Sequence, residues 1–261
     1  PTLDTPDHDP VDYYELGNLC FARQDYQTAL KHYTQAIEAR PGFAAAFNNR
    51  GNTHYVLKQY VPAIDDYTQA IACQPDYSRA YYNRGNACYA AGDSEQAIAS
   101  FTRAIELNPN YLEAFNNRGN CYVAIKAYQD AIDDFDQALE LNPRFSTAHS
   151  NIGNLFYQMK KYEEAIESYD QSLQIDANQP QTFNNRGNAY LALGRCNFAL
   201  ESYNQAIGLD AAYAEAYYCR GLTYHTMGQV QAAQIDFQKA IELAQQQDNQ
   251  QLLQRLQAAR G

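Results

Sequence analysis

A glycine recurs every 34 residues along most of the chain, and this period constrains the fold more than any other feature. Twelve residues after each glycine comes an alanine, and four residues further on comes an aromatic residue. Such a period arises when one supersecondary unit is repeated, because each unit buries its apolar face only against its neighbours. The sequence therefore predicts seven stacked copies of one small unit. The glycines are Gly17, Gly51, Gly85, Gly119, Gly153, Gly187 and Gly221.

Each unit carries two apolar stripes with helical spacing. We number the repeat so that the glycine is position 8, and the first repeat then begins at Pro10 while the seventh ends at Gln247. Positions 4, 7, 8, 11 and 14 fall on one side of a helix, and positions 17, 20, 21, 24, 27 and 28 form the second stripe. A short turn such as Lys58-Gln59 separates the stripes. Each unit is therefore predicted to be a helix A, a turn and a helix B.

The register divides the chain into a tail, seven repeats and a final helix. Residues 1–9 are polar and rich in proline, so we expect them to be disordered, with Asp9 and Pro10 beginning the first helix as N-cap and first-turn proline. Residues 248–261 are expected to form a capping helix with Asp248 as its N-cap. The repeats are predicted at 10–43, 44–77, 78–111, 112–145, 146–179, 180–213 and 214–247.

Charge and hydropathy argue against nucleic acid and membrane as partners. The chain has 19 Lys and Arg against 30 Asp and Glu, a net charge of −11, which repels phosphate backbones. No apolar stretch approaches the roughly 20 residues that a membrane-spanning helix needs, so we expect no direct membrane insertion. No signal peptide is visible, and a cytoplasmic location is expected. Because the first residue is Pro1 and not Met, the chain is expected to be processed or cut from a longer protein.

The candidate catalytic and metal-binding residues do not form a site. The six cysteines have irregular spacing and no CxxC pair, which favours free thiols over zinc ligation or a disulfide framework. The five histidines fall at unrelated repeat positions. An acidic group at 130–136 lacks the glycine and the terminal glutamate of a calcium loop and is interpreted as a solvated helix face. We therefore predict no catalysis, no cofactor and no metal.

Arginine at position 7 needs a partner, because the position is half inside the repeat and buried charge must be paired. Sixteen residues later, at position 23, aspartate occurs only in units whose position 7 is arginine. This pattern favours a structural ion pair across the hairpin over ligand binding. The predicted pairs are Arg50–Asp66, Arg118–Asp134 and Arg220–Asp236.

Asparagines recur on the side of helix A that points away from the core. Asparagine is a poor residue for a helix interior, so its recurrence at positions 6 and 9 requires a reason. Its amide can donate to and accept from a peptide unit, and tyrosines at positions 5 and 12 add flat apolar area. The alternative is that these asparagines bond neighbouring helices. The asparagines are Asn18, Asn49, Asn52, Asn83, Asn86, Asn117, Asn120, Asn151, Asn154, Asn185 and Asn188, and the tyrosines are Tyr14, Tyr55, Tyr82 and Tyr89.

The repeat resembles the tetratricopeptide repeat family in nearly every unit across residues 10–247. Position 4 departs from the tryptophan common in the family, being Tyr, Phe or, in repeat five, His149. The resemblance implies an all-α, right-handed superhelical α-solenoid of helix-turn-helix repeats with a C-terminal capping helix. It also implies that the asparagine face lines a concave groove for an extended peptide. The ladder of amides is similar to that of the O-linked N-acetylglucosamine transferase solenoid.

A second comparison within the family bears on which kind of peptide the groove could bind. Relatives that clamp a C-terminal carboxylate use Lys at positions 5 and 2 and Arg at position 6. This chain has no Lys at position 5 and no Arg at position 6, and only Arg79 is basic at position 2. The predicted function is a scaffold that binds an extended segment of a protein partner. Two alternatives stay open: the substrate-recruiting part of a larger enzyme, such as a glycosyltransferase or kinase, and self-association through the groove or the terminal repeats.

Overall fold

A computed structural model describes residues 9–258, which contain fifteen α-helices and no strand. The A helices are α1 (Pro10–Ala22), α3 (Ala44–Val56), α5 (Ser78–Ala90), α7 (Leu112–Ala124), α9 (Ser146–Gln158), α11 (Pro180–Ala192) and α13 (Ala214–Thr226). The B helices are α2 (Tyr26–Ala39), α4 (Tyr60–Cys73), α6 (Ser94–Leu107), α8 (Tyr128–Leu141), α10 (Tyr162–Ile175), α12 (Cys196–Leu209) and α14 (Val230–Gln246), and α15 (Gln250–Ala258) follows them. The prediction of two helices per repeat and one C-terminal helix is confirmed.

The helices form two compact units of the same kind. The first unit ends at Leu141 and holds α1–α8, and the second begins at Asn142 and holds α9–α15. Within each unit, every A helix packs against the B helix of its own repeat, and α2, α4, α6, α10 and α12 also pack against the A helix that follows each of them. Each unit is therefore a stack of helical hairpins.

The turn between helices A and B has the same backbone conformation in all seven repeats. Position 15 is in the left-handed region in each, with φ between 58° and 88°. The N–H of the next residue then bonds the carbonyl of position 11, as in Gln59 to His54. This is the usual left-handed helix C-terminus, in which glycine carries the least strain. Position 15 is Gln24, Lys58, Gly92, Lys126, Lys160, Gly194 or Gly228.

The recurring glycine makes room for a ring. A Cβ placed on any glycine at position 8 would lie 2.5–2.8 Å from the nearest carbon of the aromatic residue at position 24. That ring is almost fully buried in every repeat, and the alanine at position 20 is buried beside it. The glycine therefore sets how closely helix A approaches the ring of helix B, which is why the period of the chain is carried by glycine.

The predicted ion pairs across the hairpin are confirmed and extend further than expected. Arg50 approaches Asp66 at 2.6 Å, and the Arg118–Asp134 and Arg220–Asp236 pairs have closest distances of 2.6 Å and 2.7 Å. These three arginines, and Arg186 at the same repeat position, also bond position 25 in helix B of the preceding repeat. The contacts of this second kind are Arg50 to Thr34, Arg118 to Thr102, Arg186 to Asp170 and Arg220 to Asn204. Position 7 thus links three helices.

The two ends of the repeat array differ in how well the sequence predicts them. Asp9 is the N-cap of α1, as expected, and its side chain accepts from the N–H of Val11. The assignment of Asp248 as the cap of α15 is wrong. Asn249 accepts from the N–H of Leu252, while Asp248 lies in a left-handed turn before it. Within the expected tail, residues 1–8 lie outside the described residues.

Replacing Ala131 by leucine tests the register of the repeat. Ala131 is fully buried at position 20 of α8, so a larger side chain overpacks the contact between helices A and B. We expect a loss of about 1–3 kcal/mol in the free energy of unfolding. The exposed Gln129 on the same helix gives the control, Gln129→Leu, which should change stability little. Equal melting temperatures for the two variants would contradict the register.

Candidate functional site

The asparagines at position 9 lie half-buried on the same face of successive A helices, and we name them the Asn ladder. Each follows the glycine that lies against the ring of helix B, so close packing holds its backbone in place. In the first unit the ladder is Asn18, Asn52, Asn86 and Asn120, and in the second unit it is Asn154 and Asn188.

The amide oxygens of the ladder are used inside the protein. Asn18 Oδ1 accepts from the hydroxyl of Tyr33 at 2.9 Å and from Nδ2 of Asn49 at 2.9 Å. Both contacts recur: the tyrosine comes from position 24 of the same repeat, and the second asparagine comes from position 6 of the next repeat. The equivalent donors are Tyr67 and Asn83 to Asn52, Asn117 to Asn86, Tyr169 and Asn185 to Asn154, and Tyr203 to Asn188.

These contacts separate the two interpretations of the asparagines atom by atom. The oxygens bond neighbouring helices, as the structural alternative predicts. Among residues 9–258, the Nδ2 groups of Asn18, Asn52 and Asn154 have no hydrogen-bond partner. An oxygen that accepts two bonds has no lone pair left, whereas the NH₂ group still has two donors. What the ladder can offer to a ligand is therefore hydrogen-bond donation.

Position 5 is tyrosine in some repeats and asparagine in others, and both residue types have a structural role. Asn49 Nδ2 donates to the hydroxyl of Tyr14 at 3.0 Å, and Asn83 Nδ2 donates to Asn48 Oδ1 at 2.9 Å. Both residue types thus supply an oxygen that accepts from position 6 of the next repeat. The ring of Tyr14 packs on Phe43, with 5.0 Å between the centroids.

Tyr82 has the same kind of environment. Its hydroxyl accepts from Asn117 Nδ2 at 3.1 Å, and its ring stacks on Tyr111 at 4.8 Å. Tyr82 and its counterpart in repeat one are half-buried. The structure therefore places these two predicted site residues between helices, where they hold the asparagines of position 6.

Two cavities of equivalent composition lie beside the ladder, one in each unit. The first has a volume of about 180 Å³ and the second about 250 Å³. Each is bordered by position 9, the aromatic residue at position 12, the tyrosine at position 24, and positions 6 and 9 of the next repeat. The first is lined by Asn18, Phe21, Tyr33, Asn49 and Asn52, and the second by Asn154, Tyr157, Gln158, Tyr169, Asn185 and Asn188. We name them the repeat niches.

The rings at position 12 give each niche an apolar edge. Phe21 forms this edge in the first niche, and Tyr157, which is 36% exposed, forms it in the second. The predicted site residues Tyr55 and Tyr89 occupy position 12 in repeats two and three and are 37% and 44% exposed. The ring of Tyr55 packs at a tilted angle against that of Tyr60, with 5.7 Å between the centroids, and Tyr157 packs similarly against Tyr162 at 5.4 Å. Tyr55 and Tyr157 therefore each contact the first residue of their own helix B.

Sequence reasoning missed the hydroxyl groups of position 24. Tyrosine or phenylalanine fills that position equally well as a core ring, so apolar periodicity does not distinguish them. The missed residues are Tyr33, Tyr67, Tyr169 and Tyr203, each of which bonds the ladder asparagine of its own repeat. The identity of position 24 is the signal that could have found them, because a buried hydroxyl needs a partner.

The network ends in repeat seven with an unsatisfied atom. Asn184 Oδ1, at position 5 of repeat six, is buried and has no hydrogen-bond partner among the described residues. Its counterpart Asn48 accepts from an asparagine at position 6 of the following repeat. Repeat seven has Cys219 there, a buried thiol whose pKa is raised to about 12 by burial. The missing donor explains the unsatisfied oxygen.

Replacing Cys219 by asparagine is therefore expected to stabilise the second unit. The new Nδ2 would reach Asn184 Oδ1 and Asn188 Oδ1, as Asn83 reaches both equivalents at 2.9 Å and 3.1 Å. An unsatisfied buried acceptor costs about 1–3 kcal/mol, so we expect a gain of about 1 kcal/mol after the larger side chain is accommodated. Urea unfolding of the variant measures this. Cys219→Ser, which is too short to reach, is the control, and an equal effect of both would contradict the explanation.

Within residues 9–258 no three His, Cys, Asp or Glu side chains are arranged to hold a metal ion. In the same range no helix combines the length and apolar character needed to cross a bilayer. The other predicted members of the site, Asn120 and Asn151, are half-buried on α7 and α9.

Comparison with solved structures finds the same fold in other repeat proteins. A tetratricopeptide repeat protein from Parabacteroides merdae is 20% identical and superposes with a TM-score of 0.79, covering 95% of this chain and 98% of that one. The type IV pilus biogenesis factor PilW is 20% identical, with a TM-score of 0.71 over 79% of this chain and 96% of that one. YrrB, described as a repeat protein with an unusual peptide-binding site, is 23% identical, with a TM-score of 0.52 over 72% and 96%.

Comparison with sequence families covers most of the chain. No curated protein sequence matches it. Models described as "TPR repeat" match residues 17–58, 153–194 and 187–228. Models described as "Tetratricopeptide repeat" match residues 44–77, 78–111, 112–145 and 214–246. The predicted all-α repeat solenoid is confirmed, and the chain belongs to the tetratricopeptide repeat family.

Proposed function

We propose that this chain is a protein-interaction scaffold whose Asn ladder binds an extended segment of a partner protein. The repeat fold supports the general role of a scaffold. The observation that supports the ladder as the binding site is the free Nδ2 group of position 9, repeated at the same helical angle. Catalysis is assigned to none of the described residues.

The geometry limits what the ladder can recognise. Because the ladder oxygens accept from internal donors, the outward groups are N–H donors, and their ligands are acceptors. The most regular acceptors in a protein partner are the carbonyl oxygens of an extended backbone. One such bond contributes about 0.5–1.5 kcal/mol net, so several are needed for a useful affinity. Recognition of carbonyls leaves the partner's sequence largely free.

Selectivity then falls to the repeat niches. Each niche has polar walls of asparagine and tyrosine and an apolar edge formed by the ring at position 12. A side chain of moderate size that carries both a polar and an apolar part fits such a lining. The niche residues include no lysine or arginine, so no terminal carboxylate is required of the partner.

The proposal is tested by changing the donor and keeping the acceptor. In Asn52→Asp, one carboxylate oxygen can still accept from Tyr67 and Asn83, while the other replaces the outward NH₂ group. Asn86→Asp likewise retains the contact from Asn117. The probe is a peptide selected from a random display library on the immobilised wild-type chain. The double variant should bind this peptide about tenfold to a hundredfold more weakly.

A matched control separates the donor from the added charge. Gln27 and Gln69 are exposed on B helices, and the double change Gln27→Glu, Gln69→Glu makes the same amide-to-acid replacement away from the ladder. Fluorescence anisotropy with the same labelled peptide compares the three proteins, and circular dichroism confirms that each is folded. Equal affinity of all three proteins would show that the ladder is purely structural.

A cytoplasmic location remains a prediction from the sequence. The cysteines are free thiols, and three of them are core residues. Burial raises the pKa of the Cys121 thiol to about 12, so it stays protonated and unreactive at neutral pH. The thiols therefore serve packing in this proposal.

A further inference from the structure

Helix α1, which is helix A of repeat one, exposes a face that helix A buries in later repeats. Position 10 packs on the preceding helix B, as Ala87 does against Ala63 and Tyr67. The residue at position 10 is fully buried in later repeats, where it is Thr53, Ala87, Cys121, Ala189 or Thr223. Position 7 also points to the preceding repeat, where its arginine bonds position 25. In repeat one both positions are leucines, and Leu16 and Leu19 are 43% and 46% exposed.

The two leucines belong to a stripe that runs the length of the helix. The stripe consists of Asp12, Leu16, Leu19 and Arg23. Their spacing of i, i+4, i+7 and i+11 places all four within an arc of about 60° around the helix axis. Asp12 and Arg23 are exposed, and neither has an ion-pair partner in the described chain. The stripe therefore has an apolar centre, an acidic end and a basic end.

We propose that this stripe binds the same stripe of a second copy of the chain, with the two α1 helices antiparallel. If the two-fold axis passes between residues 17 and 18, Leu16 faces Leu19 of the second copy and Asp12 faces its Arg23. Such self-complementarity is the requirement for an isologous two-fold contact. The spacing is that of leucines at the seam of paired helices.

Charge favours a second copy over other occupants of the face. A partner helix that was acidic or basic along its length would oppose one end of the stripe, whereas an antiparallel copy satisfies both ends. The contact is small, so the dimer should be weak and should form at high concentration. The Asn ladder lies on the other side of α1, because Asn18 is about 120° from the stripe. This proposal is therefore independent of peptide binding.

Charge reversal gives the sharpest experiment. Asp12→Arg places arginine against arginine in a like pair, and Arg23→Asp places aspartate against aspartate. A mixture of the two variants restores two opposite-charge contacts in a mixed dimer. Sedimentation velocity from about 5 µM to about 500 µM would follow association of wild type, each variant and the mixture. Circular dichroism confirms folding, which these exposed positions should not affect.

The proposal predicts that wild type and the mixture dimerise and that each variant alone associates at least tenfold more weakly. Leu16→Gln with Leu19→Gln should also abolish association. Val61→Gln with Ile235→Gln removes two other exposed apolar side chains and should leave it unchanged. A wild-type chain that stays monomeric up to the highest concentration would overturn the proposal. So would a mixture that behaves as the sum of its separate variants.

Discussion

Arg118→Met is expected to lower the free energy of unfolding by about 3 kcal/mol at neutral pH, because it leaves Asp134 as an unpaired buried charge. Arg118 donates to both oxygens of Asp134, at 2.8 Å and 2.6 Å, and the carboxylate side chain is only 6% exposed. The same change removes the bond to Thr102 in the preceding repeat. Methionine retains most of the aliphatic packing, so the loss reports mainly on charge and hydrogen bonding.

The loss should depend on pH. Burial raises the pKa of Asp134, Arg118 opposes the rise, and Asp130 and Asp133 add to it. Without the arginine, the pKa of the folded state rises further above the unfolded value. A carboxyl group of this kind binds its proton more tightly when folded, so the penalty is full above the folded pKa. It disappears as pH falls toward the ordinary aspartate value of about 3.9.

Urea unfolding of both proteins between neutral and acidic pH measures this difference. Arg103→Met is the control, because Arg103 forms only an exposed ion pair with Glu106, and its loss should change stability little. Adding Asp134→Leu to the Arg118→Met chain should recover much of the stability. A loss that was the same size in both arginine variants, or that did not shrink in acid, would show that Asp134 is not held by Arg118.

Gly85→Ala should destabilise the chain by about 2 kcal/mol, although the same change in an open helix is stabilising. A Cβ at Gly85 would lie 2.6, 2.7 and 2.9 Å from three carbons of the Phe101 ring. That ring is 1% exposed and sits in the core of its repeat, so it has no free space to move into. Either the ring or helix α5 must shift.

Gly208 provides the matched control for this substitution. It lies in helix α12, and no atom is within 4 Å of a Cβ placed there. Gly208→Ala should therefore raise stability by up to about 1 kcal/mol through helix propensity. Thermal unfolding compares the two variants with wild type. If both alanine variants were more stable than wild type, the ring at position 24 would not be the reason that position 8 is glycine.

The fold was predictable because packing repeats with the sequence. A glycine beneath a ring, an alanine at the tight contact and a left-handed turn recur at fixed positions, so each repeat indicates the same helical hairpin. The ion pairs followed from the same logic, since Asp66 and its equivalents occur only with an arginine at position 7. The cap of α15 was missed because Asp248 and Asn249 are both good caps, and only the backbone path selects one.

The candidate site was predictable only in part. Helical spacing places the asparagines on one face, but it does not indicate which end of an amide points inward. That choice depends on the hydroxyl of Tyr33 and the amide of Asn49, which come from another helix and another repeat. Tyr14 was expected to be open to a ligand and instead supplies an acceptor to the next repeat. These contacts join residues that are distant in the chain, so the helical spacing of the asparagines alone does not reveal them.

The most direct test of peptide binding by the Asn ladder is nuclear magnetic resonance of the asparagine side-chain NH₂ groups during titration with the selected peptide. We expect the signals of Asn52, Asn86 and Asn154 to shift as their outward N–H groups bond peptide carbonyls. The signal of Asn83, whose NH₂ donates within the protein, should shift much less. If the peptide binds fully while the three ladder signals stay unchanged, the Asn ladder is not the peptide-binding site.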